Sequence, residues 1–262
     1  MISHRRHRSP VTQRNGSINS SGLWNGTLYL ARRELRRTWR SYIWALVLAP
    51  IMGAAAAFML GATLGQPGNA WAGFLFIILI AVLPRTSNWH SGEPVSAGWT
   101  STSNEHISFL RSLPLTARQI AAARALVSVV SVIVLCAAFF TPLYSISGLL
   151  REELGASGFM LFAVFWVGCA LVFEALGLLT ELGFPGIPGV LVYAAAIFLG
   201  GAVAGATAGG LIETSATAVS AAADLTRDYG ALLALVALAA GGGALMLSWL
   251  ATARRLRKKE LG

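Results

Sequence analysis

With the exception of one glutamate, charge in this chain is confined to its ends and a few connecting stretches, and what lies between is apolar in runs long enough to cross a bilayer. A membrane-crossing helix needs about 20 largely apolar residues. Six segments meet or approach that length: Ser41–Leu64, Asn69–Asn88, Ala125–Ser147, Gly158–Thr180, Pro188–Ile212 and Tyr229–Ala251. The second is the weakest, because its uninterrupted apolar core, Ala70–Leu83, is short and Pro84 and Arg85 follow it. The first stands behind arginine-rich sequence as a secretory leader would. Its apolar stretch is too long for a cleaved leader and reads as an uncleaved first span. Only 12% of the residues are charged and 55% are hydrophobic, whereas a soluble domain carries roughly 25% charged residues to face water. A soluble enzyme core and a disordered chain are both excluded. The predicted fold class is an all-α membrane protein with six transmembrane helices.

Six spans put both termini on one side, and the basic residues select the side. Nine arginines precede the first span, Arg85, Arg111, Arg118 and Arg124 lie in or beside the loop after the second, and Arg254, Arg255, Arg257, Lys258 and Lys259 follow the sixth. Eighteen of the twenty basic residues therefore share one side; Arg151 and Arg227 fall in loops that also carry Glu152, Glu153, Glu213, Asp224 and Asp228. By the positive-inside rule both termini are cytoplasmic. The same rule accounts for the net charge of +9 without invoking nucleic acid.

This topology divides the chain into a disordered basic tail (residues 1–22), an amphipathic interfacial helix (23–40), the six-span domain (41–251) with a cytoplasmic loop at 85–124, and a basic tail (252–262). In the interfacial helix Trp24, Leu28, Ala31, Leu35, Trp39 and Tyr42 recur at helical spacing, with Arg32, Arg33, Arg36, Arg37 and Arg40 between them. A basic helix with an aromatic-edged apolar face settles at the membrane interface, its arginines reaching lipid phosphates. A nucleic-acid-binding helix would share the charge but would not run directly into a membrane span. Three Asn-x-Ser/Thr triplets at Asn15, Asn19 and Asn25 fall on the cytoplasmic side and read as chance rather than glycosylation sites.

The loop is the one organised segment between spans. Its first half is turn-rich and polar. In its second half, Glu105–Arg124, residues Ile107, Leu110 and Leu113 share one face of a short helix, Pro114 ends it, and Thr116 can cap a second helix carrying Arg118 and Arg124. Such a helix–turn–helix either presents its apolar side chains to a partner or packs on its own bundle.

The stretch FLRSLPLTARQIAAAR resembles the cytoplasmic loop of the ABC type-2 export permeases, which reads L-x-S-L-P-(L/V)-(T/S)-x-R-x-I followed by a basic residue. Here these positions are Leu110, Ser112, Leu113, Pro114, Leu115, Thr116, Arg118, Ile120 and Arg124. The likeness extends to the helix before span one, the six spans, the placing of this loop between spans two and three, and the basic C-terminal tail. It departs upstream of the motif, where many members carry an acidic Arg-Glu-Glu-Gly-type stretch and this chain has Ser-Thr-Ser-Asn-Glu-His. The resemblance implies a permease subunit of a bacterial ABC exporter, multi-pass in the plasma membrane, paired with a second copy or a paralogue. It implies that the loop is a coupling helix seated on a separate cytoplasmic ATPase subunit, with Phe109, Leu110 and Leu113 as the apolar plug before Pro114 and Arg111 and Arg118 as charged flanks. ATP and Mg²⁺ would be held by that partner, and no cofactor is expected on this chain. In agreement, a phosphate-cradling Gly-x-x-x-x-Gly-Lys-Ser/Thr loop needs a lysine, and the only lysines are Lys258 and Lys259 in the tail.

Few residues within the spans carry chemistry. Glu174 lies in the middle of span four, where an acid costs about 3 kcal/mol on insertion scales. It reads either as a substrate or proton site or as a carboxyl hydrogen-bonded to a neighbouring helix. Gly201, Gly205 and Gly209 repeat at four-residue spacing in span five and predict close helix packing; a cavity-lining role is what the family resemblance would add. Pro50 and Pro142 fall inside spans one and three, where each predicts a kink. The segment Glu213–Asp228 is amphipathic but too polar to span and resembles the short external helix before span six in these exporters. Cys136 and Cys169 lie in apolar runs as small hydrophobes, and no cysteine–histidine or other metal-ligand set exists. An intramembrane enzyme is the competing class. A glutamate-type protease would need Glu-Glu-x-x-x-Arg with intramembrane histidines, but Ser157 stands where the arginine should be after Glu152-Glu153, and no span contains histidine. A channel would not account for the organised loop.

Overall fold

The structure, a computed structural model, describes residues 20–63, 70–86, 116–183, 191–198 and 218–258. These form six helices and no strand: α1 (Ser20–Thr63), α2 (Ala70–Thr86), α3 (Ala117–Ile146), α4 (Gly148–Gly183), α5 (191–198) and α6 (Ala218–Lys258). Helix is the expected solution for such sequence, because a lipid-embedded backbone must satisfy its own N–H and C=O groups. Among the described residues, four stretches are long and apolar enough to cross a membrane: Thr38–Leu60, Arg118–Ile146, Leu150–Leu179 and Leu225–Arg254. The chain is thus multi-pass by length and composition. Of the other two expected spans, α2 contributes 17 residues and α5 eight.

The most extensive packing is between α1 and α3 and between α4 and α6, and α3 also meets α4 and α6. Both large pairings run parallel. Along α1 and α3, Leu30 clusters with Ile120, Tyr42 bonds Ser131, and Gly53 faces Phe139, so the two helices keep one register over their length. Along α4 and α6, Leu161 lies against Gly230 and Gly168 against Ala237 and Gly241. Helix α2 packs on α1, α3, α4 and α6, with Phe76, Ile80, Ala81 and Leu83 fully buried. That explains why it is hydrophobic without a polar face. The Tyr193 hydroxyl of α5 donates to the Ala81 carbonyl of α2 at 2.8 Å.

The core between α2, α3 and α4 is aromatic. Phe76 meets Phe139 edge-to-face at a centroid separation of 5.8 Å and Trp166 at 5.0 Å, and Phe140 meets Phe162 at 6.3 Å. Offset and edge-to-face geometry suits the ring quadrupoles and adds directionality that lipid-like side chains lack.

Several boundaries differ in detail from the sequence reading. Residues Ser20–Gly22, assigned to the tail, already belong to α1, and no break separates the segment 23–40 from the span that follows. The buried side of this segment includes Thr27, Leu30 and Ala31, the last two clustered with Ile120 and Ala123 of α3, whereas Trp24, Leu28, Leu35 and Trp39 are exposed. The aromatic stripe and the packing stripe are therefore two adjacent sides of one helix. Helices α1 and α3 continue through Pro50 and Pro142. Non-helical backbone occurs at Gly155, whose φ of 62° suits a residue without a Cβ, and at Tyr229 (φ −130°, ψ 23°). The latter falls at the position assigned as the start of span six, and a helical stretch from Ala218 precedes it.

Candidate functional site

Three of the four long helices converge on a small polar layer. The Ser128 hydroxyl of α3 donates to Glu174 Oε1 of α4 at 2.9 Å, and Glu174 is only 3% exposed. One turn further along α3, the Ser131 hydroxyl donates to the Val127 carbonyl at 2.7 Å and lies 2.6 Å from the Tyr42 hydroxyl of α1. A serine has one hydroxyl proton, so with that proton on Val127 the tyrosine is the donor to Ser131. Ser128 and Ser131 thus tie α3 to both flanking helices.

The layer also fixes a depth. Ser128 lies three residues before Ser131, a rise of about 4.5 Å, and Ser131 is level with Tyr42. Glu174 therefore lies within about a turn or two of the level of Trp39 and Arg40 of α1, with its carboxyl bonded to a neighbouring helix.

The start of α3 is the second organised feature. Thr116 is its N-cap: the Thr116 hydroxyl accepts from the Gln119 N–H at 3.3 Å, and Gln119 Oε1 accepts from the Thr116 N–H at 2.8 Å. This reciprocal capping box satisfies donors that a helix start otherwise leaves open. Arg118 is exposed in the first turn, and its carbonyl accepts from Trp249 Nε1 of α6 at 3.4 Å. Phe109, Leu110, Arg111, Leu113 and Pro114 lie outside the described residues, as do Gly201, Gly205 and Gly209.

Residues that the sequence reading did not single out do much of the joining. A Cβ on Gly168 would lie 2.5 Å from the backbone of Ala237, and one on Gly241 would lie 2.7 Å from the Gly168 carbonyl oxygen. A Cβ on Gly53 would run into the Phe139 carbonyl of α3. Ser128 and Ser131, three residues apart in an otherwise apolar run, were the legible signal for the polar layer. Trp166 Nε1 and Ser248 Oγ are buried with no hydrogen-bond partner among the described residues. No group of three or more potential metal ligands occurs among the described residues. Comparison with protein-family models, with curated proteins and with solved structures finds no match for the chain.

Proposed function

We propose that this chain is the permease subunit of an ATP-binding-cassette exporter of the type-2 class, with six spans, both termini cytoplasmic in a bacterial plasma membrane, and a second permease copy or paralogue completing the pathway. The observation that carries the reading is the segment Leu110–Arg124, which matches the loop pattern of those permeases. Supporting it, the segment leads directly into a capped helix, α3, that is bonded to α1, α4 and α6. A force applied at the start of α3 would reach three other helices through side chains already in contact. The ATPase is then a separate polypeptide, because this chain lacks the lysine of a phosphate-binding loop before its tail.

The test is to ask whether a cassette ATPase is encoded beside this chain or co-purifies with it, and to assay the full chain alone and together with any such ATPase. The reading expects no ATP hydrolysis by the chain alone, and hydrolysis that responds to the chain when both are present. Hydrolysis by the chain alone, or the absence of any associated cassette ATPase, would favour the intramembrane-enzyme or channel class.

A further inference from the structure

One side of α1 carries two arginines in line with three exposed aliphatic residues. Arg36, Arg40, Ile43, Val47 and Ile51 follow one another at intervals of three and four residues, so they share a strip along the helix. Ile43, Val47 and Ile51 are 48%, 49% and 59% exposed, while Leu30, Ala31, Ala45 and Ala49, on another side of the helix, are buried. Exposed Trp39 and Trp44 stand where the arginines give way to the aliphatic residues, and the Arg40 guanidinium carbon lies 5.6 Å from the centroid of the Trp39 ring. That junction is at the level of the Tyr42–Ser131 and Ser128–Glu174 bonds, where polar groups enter the bundle.

We propose that this strip is a binding site for one anionic phospholipid, with its phosphate held by Arg36 and Arg40, an acyl chain along Ile43, Val47 and Ile51, and the indoles of Trp39 and Trp44 at the glycerol level. The sequence of chemistries along the strip, cationic then indole then aliphatic, is that of a phospholipid read from headgroup to tail. Arginine presents a planar fork of donors to a phosphate, and tryptophan is enriched at the membrane–water boundary. Charge complementarity excludes the other occupants. The strip holds two cations and no acid, so a second copy laid on the same strip would set arginine against arginine. A nucleic acid would leave Ile43, Val47 and Ile51 uncovered. The site requires only that α1 crosses the bilayer, and it stands whether or not an ATPase partners the chain.

The test uses the full-length protein in mild detergent, titrated with phosphatidylglycerol or phosphatidylcholine of the same acyl composition and read by native mass spectrometry. Wild type should retain phosphatidylglycerol more strongly, and tenfold more salt should narrow that preference. Arg36→Ala with Arg40→Ala should weaken phosphatidylglycerol retention roughly thirtyfold and leave phosphatidylcholine unchanged. Arg151→Ala with Arg227→Ala, which removes the same charge from exposed positions elsewhere, should change neither lipid. Arg36→Lys with Arg40→Lys, which keeps the charge and loses the planar fork, should fall between wild type and the alanine variant. Equal retention of the two lipids by wild type, a preference indifferent to salt, or equal losses in the two alanine variants would each overturn the site. So would displacement of phosphatidylglycerol by an oligonucleotide. The wild-type salt series needs no variant, so it decides the matter even if a substitution unfolds the chain.

Discussion

The pairs α1/α3 and α4/α6 are both parallel and both extensive, yet they are fastened differently. Between α1 and α3 a hydrogen bond, Tyr42 to Ser131, accompanies a single close approach at Gly53. Between α4 and α6 three glycines, Gly168, Gly230 and Gly241, bring the helices together. Lipid offers no hydrophobic drive for helix association, so a pair must be held by close packing or by polar bonds. The first solution depends on the absence of a side chain and tolerates little. The second depends on chemistry that a neighbouring group can partly replace. Helix α3, which is also bonded to α4 through Ser128, holds its neighbours by the second means at the end of the bundle where the proposed coupling segment enters.

The contrast is sharpest at Gly168. Gly168→Val would drive two methyl groups into the Ala237 backbone and should cost about 3 kcal/mol or more, seen as loss of monodisperse protein or a large fall in thermal midpoint in detergent. Gly243→Val, with open space around it, should be close to neutral. If the two valine variants behaved alike, the close-packed description of α4/α6 would be wrong.

Next in size is Glu174→Ala, which removes the acceptor of a buried serine and leaves a void between α3 and α4. It should cost about 2 kcal/mol. Glu174→Gln keeps an acceptor oxygen and should cost less than half of that, measured by the same unfolding assay. Equal losses would mean that the carboxylic acid itself, rather than its bond to Ser128, is what the bundle requires. Smallest is Tyr42→Phe, which deletes one interhelical hydroxyl and should cost about 1 kcal/mol, within the range for such bonds in membrane proteins. A loss rivalling that of Gly168→Val would erase the distinction between the two pairs.

The sequence made the helices legible wherever hydrophobicity alone decides. The long apolar runs at Thr38–Leu60 and Arg118–Ile146 are helices, and Thr116 caps α3 as its position after Pro114 implied. What depends on neighbours was not legible. The helical spacing of Trp24, Leu28, Leu35 and Trp39 marks an apolar stripe, but only the position of α3 shows that Leu30 and Ala31 form the packed side. Glu174 is central in its own apolar run, and only the placing of another helix brings Ser128 to it. The Gly201, Gly205 and Gly209 repeat is conspicuous in sequence and lies outside the described residues, whereas Gly168 has no glycine three or four residues away and sits at a helix crossing. A spacing rule finds repeats; it does not find a single glycine placed opposite another helix.

On the proposed function, the segment before α3 is the seat of a separate ATPase. The most direct measurement compares wild type with Leu110→Ala/Leu113→Ala, both tagged, purified from membranes together with the proposed cassette ATPase, scoring the ATPase recovered per copy of the chain and the ATP hydrolysed. Truncating interface anchors of this kind typically costs about 2 kcal/mol or more of binding each. The account predicts that the double variant inserts and purifies at wild-type yield while losing the ATPase subunit or its coupled hydrolysis. Recovery of the ATPase at unchanged stoichiometry with unchanged hydrolysis would contradict it, and so would a double variant that no longer accumulates in the membrane, because Leu110 and Leu113 would then be packing on their own bundle.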